Sequence, residues 1–425
     1  MSGLAPHDPY RALKVPGFRR YLTGNVLATV GFQMQGVAVG WELYERTHSA
    51  LALGLVGLVQ IIPMILLFLP LGHLVDRYDR RKVVMVALTG LAIAALGLAA
   101  VSRVNGPVPL VYAFLFLSGT ARALLGPAKS ALMPDIVRLD AFQNAVAWSS
   151  GGWNMASMVG PAVGGALLAA THSPMLVYLT HAALELSFVA LLAGVTVYGE
   201  RQPAGNMTLD SLLEGARYVL RTRILFAAIT LDLFAVLFGG AVALLPVYAK
   251  DILHVGPAGL GGLLAAEAVG AVTTALVMAH RPPLLRAGPV LIRAVVVFGL
   301  AMIGFGLSTH YMFSLAALVV AGSADSVSVV IRSTLAQLGT PNHLRGRVSA
   351  VNSLFIGTSN QLGEFESGAL ASVVGPVASV VAGGLATLAV VGIVAVKWPE
   401  IRRMGRLEEA VPRAPLEAAQ PGSAH

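Results

Sequence analysis

Apolar residues run along this chain in long stretches separated by short polar clusters. The pattern shows neither the strict alternation of half-buried strands nor the narrow stripe of soluble helices. A helix needs about 20 mostly apolar residues to cross the hydrocarbon core of a bilayer. By that measure helices are predicted over 20–43, 50–72, 83–102, 108–132, 141–170 and 174–198. A second set follows over 224–249, 257–280, 290–308, 311–337, 347–373 and 376–398. The expected fold is an all-α membrane protein of about twelve transmembrane helices. Residues 1–198 and 224–398 form two pseudo-symmetric six-helix halves in this reading, joined by a cytoplasmic linker over 199–223, with a disordered cytoplasmic tail over 399–425. Within the linker, Leu209, Leu212, Leu213, Ala216, Val219 and Leu220 recur at helical spacing opposite Asp210, Glu214, Arg217 and Arg221. That spacing predicts an amphipathic helix lying flat on the membrane surface.

Composition strengthens the membrane reading. Hydrophobic residues make up 56% and charged residues 12%, against about 45–50% and about 25% in soluble domains. The net charge of +8 does not point to nucleic acid, because the basic residues fall in short clusters between apolar runs, where they set orientation. Of the 29 Lys and Arg residues, 24 fall on one side of the predicted topology, Lys129 among them, against Arg46, Arg103 and Lys250 on the other. Arg122 and Arg332 lie within spans. Both termini are therefore expected in the cytoplasm, and the protein in the cytoplasmic (inner) membrane of a bacterium. The N-terminal residues show no short apolar segment followed by a small-residue cleavage site, so the first apolar run reads as the first span. The sequence has no cysteine, which excludes disulfides, thiolate metal sites and Cys nucleophiles.

Three motifs carry a family resemblance. Gly72-His-Leu-Val-Asp76-Arg77-Tyr-Asp79-Arg80-Arg81-Lys82 resembles the signature loop of the major facilitator superfamily. The resemblance implies a cytoplasmic gate built from Gly72, Asp76, Arg77, Arg80 and Arg81, with Asp76 facing Gly346 and Arg347. Asp79 stands where the family has a second glycine. Gly160-Pro161-Ala-Val-Gly164-Gly165 is similar to the motif of that superfamily's antiporter branch. A proline among glycines lets a helix bend and pack closely, and a plain packing role explains the same residues. Segments 124–147 and 340–368 look like the branch of the enterobactin exporter and related efflux proteins. Several members of that branch carry an acid after the glycine of the first span, whereas Gly31-Phe-Gln33-Met-Gln35 supplies glutamines here.

A charge at mid-membrane costs about 2.5–3.5 kcal/mol on insertion scales, so each one calls for a reason. Asp232, Glu267, Asp325 and Glu364 are the candidates for proton coupling, since an acid held away from water is costly in its ionised form. Glu366 lies two residues from Glu364 and must point elsewhere. His181 and Glu185, at i and i+4, fit either a proton relay or a packing hydrogen bond. Gln33, Gln35, Arg122, Trp148, Trp153, Asn154 and Asn360 are candidate cavity residues, with the tryptophans equally suited to interfacial anchoring. No phosphate loop, HExxH, paired catalytic carboxylates or GxSxG elbow is present, so no enzyme, metal or cofactor is expected. The resemblance implies a monomeric secondary transporter that exports a small molecule (a drug, siderophore or metabolite) in exchange for protons, working within the lipid bilayer. An importer, a lysolipid flippase, and a transport-dead signalling or scaffold protein are the alternatives.

Overall fold

The computed structural model describes the backbone of residues 8–197, 209–239, 241–282, 285–341 and 344–407. The expected disordered tail is instead ordered in its first part, with a helix over Pro399–Arg403 and the Gly405 carbonyl accepting from Ala287 N–H at 2.9 Å; its remainder beyond residue 407 and the first part of the expected linker lie outside the described residues. The first half holds α1 (Pro16–Thr47), α2 (Ala50–Arg77), α3 (Arg80–Arg103), α4 (Val108–Ile136), α5 (Leu139–Thr171) and α6 (Pro174–Ala193). The amphipathic α7 (Leu209–Arg221) precedes α8 (Arg223–Gly239), after which the chain tightens into a 3-10 turn at Ala241–Leu244, a short α9 (Leu245–Val247) and a π turn at Tyr248–Ile252. There follow α10 (Gly256–Ala279), α11 (Ala287–Gly306), α12 (Tyr311–Leu338), α13 (Arg345–Val374), α14 (Pro376–Lys397) and the short α15 (Pro399–Arg403).

Among the described residues, nine helical segments are long and apolar enough to cross a membrane. The long helices α1, α5 and α13 fall outside that set and run beside the others. Each carries polar residues on an inward face, which lowers its mean hydropathy without making it a surface helix. Backbone groups in lipid must be satisfied within the segment, and helices do this unaided.

The packing repeats itself. In the first half α1 packs on α5 and α6, α3 on α4 and α6, and α2 on α4; in the second, α8 packs on α13 and α14, α11 on α12 and α14, and α10 on α12. The halves meet along two equivalent seams, α5 with α10 and α2 with α13. At the first, a Cβ added to Gly165 would stand 2.8 Å from the Gly261 Cα; at the second, one added to Gly368 would stand 2.7 Å from the Gly54 Cα. Only hydrogen at these positions lets the backbones approach so closely.

Several expectations need correcting. The seventh apolar run is not a single helix over 224–249: Gly239 ends α8, and Pro246, which has no N–H to donate, falls in the tightened segment. The fourth helix does not stop at 132 but continues through Pro134 to Ile136, and Lys129, counted with the charges that set orientation, turns inward from it to Asn25. The linker helix packs its Val219 with Leu344 and Val348 at the start of α13 and pairs Glu214 with Arg347, while Leu213 and Leu220 stay exposed.

We call the end of the bundle that carries α7 the linker end and the opposite end the far end. At the far end Tyr44 donates a hydrogen bond to Asp251, Lys250 lies 3.6 Å from Glu45 and over the Trp41 ring at 5.7 Å. These contacts join the two halves.

Candidate functional site

Between the halves lies a cavity of about 410 Å³. From the first half α1 contributes Phe32, Gln33 and Gln35, α2 contributes Gln60, α4 contributes Arg122, and α5 contributes Trp153, Asn154 and Ser157. The second half supplies Glu267 on α10, Asp325 on α12, and Gln361 and Glu364 on α13. The two walls carry opposite charge, one guanidinium facing three carboxylates. Among the described residues, none of these four forms an ion pair within 4 Å; the Arg122 guanidinium lies 3.9 Å over the Phe32 ring instead. Charges left unpaired in a mid-bundle cavity are free to meet a ligand.

A second cavity of about 810 Å³ adjoins the first on the linker side and shares Phe32, Arg122, Trp153 and Asn154 with it. Its walls come from the first half and include Tyr21, Asn25, Lys129, Phe142 and Glu185. Lys129 reaches inward, donating to Asn25 Oδ1 at 2.7 Å.

Of the residues predicted for coupling and lining, Gln33, Gln35, Arg122, Trp153, Asn154, Glu267, Asp325 and Glu364 meet in the first cavity. Asp232 does not. It is buried, ion-paired with Arg332, whose Nε donates to Ser328 Oγ at 3.1 Å. Asn360 is exposed and lies outside both cavities, because the face of α13 turned inward holds Gln361 and Glu364 at i and i+3. Trp148 is held at the linker end, where its Nε1 donates to the Pro9 carbonyl at 3.0 Å and its ring lies 6.0 Å from that of Tyr10. Gln60, Gln361 and Lys129 were missed. Gln60 is a single amide in an apolar run, Gln361 stands beside Asn360, which was chosen in its place, and Lys129 was counted among the charges that set orientation.

The signature loop is anchored within the first half. Asp79, in the place of a family glycine, caps α3 by accepting from the backbone N–H groups of Arg81 at 2.9 Å and Lys82 at 3.2 Å. That is what a short acid does at an N-cap. Arg80 bonds Asp135 of α4 at 2.9 Å, and Arg81 donates to the carbonyls of Val195 and Ala193 at 2.8 and 2.6 Å. Arg77 is exposed. The surroundings of Gly72 and Asp76 lie outside the described residues, and Arg347, the expected partner of Asp76, pairs with Glu214. In the antiporter-like motif Gly160 and Gly164 press on α1 at Gln33 and Met34, while Gly165 and the Pro161 carbonyl meet Gly261 across the seam.

Two packed helical halves closing on a cavity define a transporter of the major facilitator type, a multi-pass membrane protein and not an enzyme. A family model described as transmembrane secretion effector matches residues 6–419, and the chain belongs to that family. It is 27% identical over 389 residues to an enterobactin exporter of Escherichia coli O1:K1 / APEC, covering 91% of this chain and 93% of the relative. It is 26% identical to an enterobactin exporter of Citrobacter koseri, covering 94% and 96%. Among solved structures, a bacterial homolog of the human lysosomal transporter Spinster, in an inward-facing and occupied conformation, superposes with a TM-score of 0.72 at 13% identity, covering 93% of this chain and 99% of that one. A bacterial homologue of the iron transporter ferroportin in an inward-facing state gives 0.70 at 18%, covering 92% and 99%. These two likenesses concern the fold.

Proposed function

We propose that the protein is a monomeric exporter of the cytoplasmic (inner) membrane that moves a small molecule outward in exchange for protons by alternating access, with both termini in the cytoplasm. The observation that carries this reading is the cavity between the halves, flanked at the far end by the two glycine seams and sharing Phe32, Arg122, Trp153 and Asn154 with the larger second cavity toward the linker end. With the linker end in the cytoplasm, as the distribution of Lys and Arg favours, this is the conformation that receives cargo from inside. The name shared by the relatives puts enterobactin first among siderophores, drugs and metabolites as the cargo to try. Glu267, Asp325 and Glu364 are the coupling acids in this reading, and the buried Asp232 is a structural partner of Arg332.

Everted vesicles with a pH gradient, offered enterobactin, test the proposal; metabolite profiles of cells with and without the protein supply another cargo if enterobactin is not moved. Among Glu267→Gln, Asp325→Asn and Glu364→Gln, at least one is expected to abolish uphill transport and spare downhill exchange, since binding and rocking continue without proton release. Full uphill transport by all three variants overturns the coupling role. Orientation has its own check. A cysteine at Asn105 is expected to react with an impermeant thiol reagent only from outside, and one at Asn206 only from the cytoplasm, against a native background without cysteines. The reverse labelling overturns export.

A further inference from the structure

The cavity acids leave unexplained a second set of titratable groups, buried inside the first half. His181 on α6 is 0% exposed and Glu185, one turn on, is 2% exposed. The His181 Nδ1 lies 2.7 Å from Gln35 Oε1, and its Nε2 lies 3.1 Å from Glu185 Oε1. Glu185 Oε2 is buried with no hydrogen-bond partner. Gln35 lines the cavity between the halves and Glu185 lines the linker-side cavity. The three side chains therefore form one bonded path between the two spaces, with the imidazole in the middle.

We infer that His181 and Glu185 form a proton-binding site in the first half, and that the Gln35 amide transmits its occupancy to the wall of the transport cavity. With the Gln35 carbonyl at Nδ1, that nitrogen carries hydrogen and donates. Nε2 and the carboxylate are then both acceptors unless one further proton lies between them, and that proton is placed on the acid. In this assignment the contact of Nε2 with Glu185 Oε1 belongs to the proton-loaded state. When that proton leaves by way of Glu185 Oε2, the remaining ring hydrogen moves to Nε2 to hold the carboxylate, and Nδ1 becomes an acceptor. Gln35 then turns its NH₂ to the ring. The amide group presented to the cavity changes from donor to acceptor as the proton is lost, so the site alters what the cavity can bind without any helix moving.

The surroundings suit a site that gains and loses a proton. From α4, Arg122 and Lys129 line the same linker-side cavity as Glu185. α1 brings Tyr21, the Phe32 ring edge-on to His181 at 6.3 Å, and, about two turns from Gln35, Glu42, which is held by Tyr178 and Arg46. The charged residues of α3 are Arg80, Arg81, Lys82 and Arg103 at its ends, and α5 has only Asp140 in its first turn. The other acids on these helices are paired elsewhere, Asp135 with Arg80, Asp140 with Arg11 and Glu45 with Lys250.

The probe is the proton itself. The full-length protein in lipid is titrated between acid and alkaline pH and followed by infrared difference spectroscopy in H₂O and D₂O. Wild type is expected to show a protonated-carboxyl band that Glu185→Gln lacks, while Glu185→Asp keeps the band with a displaced midpoint. His181→Asn and Gln35→Leu retain the band and also displace its midpoint. An unchanged spectrum in Glu185→Gln overturns the site. An unchanged midpoint in both His181→Asn and Gln35→Leu overturns the path. Thermal unfolding confirms that each variant is folded. Glu267→Gln, Asp325→Asn and Glu364→Gln are expected to keep the Glu185 band, so the site stands or falls separately from the coupling acids above.

Discussion

Arg332→Ala is expected to be the most destabilising single substitution at any ionised group within the bundle. It leaves Asp232, 6% exposed, without its guanidinium and Ser328 without its donor. Removing one partner of a buried ion pair typically costs about 3–5 kcal/mol, because the other charge stays buried and uncompensated. Replacing both partners by apolar residues of similar volume is often neutral or stabilising. Reversible unfolding of the purified protein in detergent, followed by tryptophan fluorescence, is the measurement. Arg332→Ala should lose several kcal/mol, and the double variant Asp232→Leu with Arg332→Met should recover most of it. A double variant as unstable as the single one would show that Asp232 is needed for itself, which returns it to the coupling candidates.

Gly165→Leu is expected to hold the far end open in a protein that still folds within each half. A Cβ there meets the Pro257 carbonyl at 2.6 Å and the Gly261 backbone at 2.8 Å. These are atoms of another helix's main chain and cannot rotate aside. Overpacking of this kind costs about 1–3 kcal/mol, and since only the closed state makes the contact, its population relative to the open state should fall about 5- to 150-fold. A cysteine at Asn154, on the cavity wall, provides the readout. In right-side-out vesicles its labelling by an impermeant reagent should rise sharply in the Gly165→Leu background. Labelling that stays at the level of the otherwise unaltered protein would remove the seam from the closure.

The broad plan was legible because lipid imposes it: a run of about 20 apolar residues has few other fates, and the repeat of the halves follows from where those runs fall. The cavity was legible in part. Glu267, Asp325 and Glu364 stood out as isolated acids, yet so did Asp232. What separates it from them is the packing of α8 beside α12, which brings Arg332 within reach and is invisible along the chain. Asn360 failed for a smaller reason. Residues at i+3 and i+4 are both neighbours of a helical position, and the face that α13 turns inward takes Gln361 and not Asn360. Lys129 was counted among the charges that set orientation, whereas its ammonium turns inward from α4 to Asn25. Trp148 was open to two readings, and the Pro9 carbonyl and the Tyr10 ring decide between them.

The two glycine seams also constrain how the halves are able to move. Two rigid bodies whose closest backbone contacts lie at two separate places tilt most easily about the line through both. Gly54 with Gly368 and Gly165 with Gly261 mark such a line near the far end. Tilting about it changes the width of the linker-end mouth while the far end stays shut, and parting the far end requires both contacts to separate together. In the alternating access proposed above, breathing of the mouth is then a soft and continuous motion, and opening to the other side a single step with its own barrier.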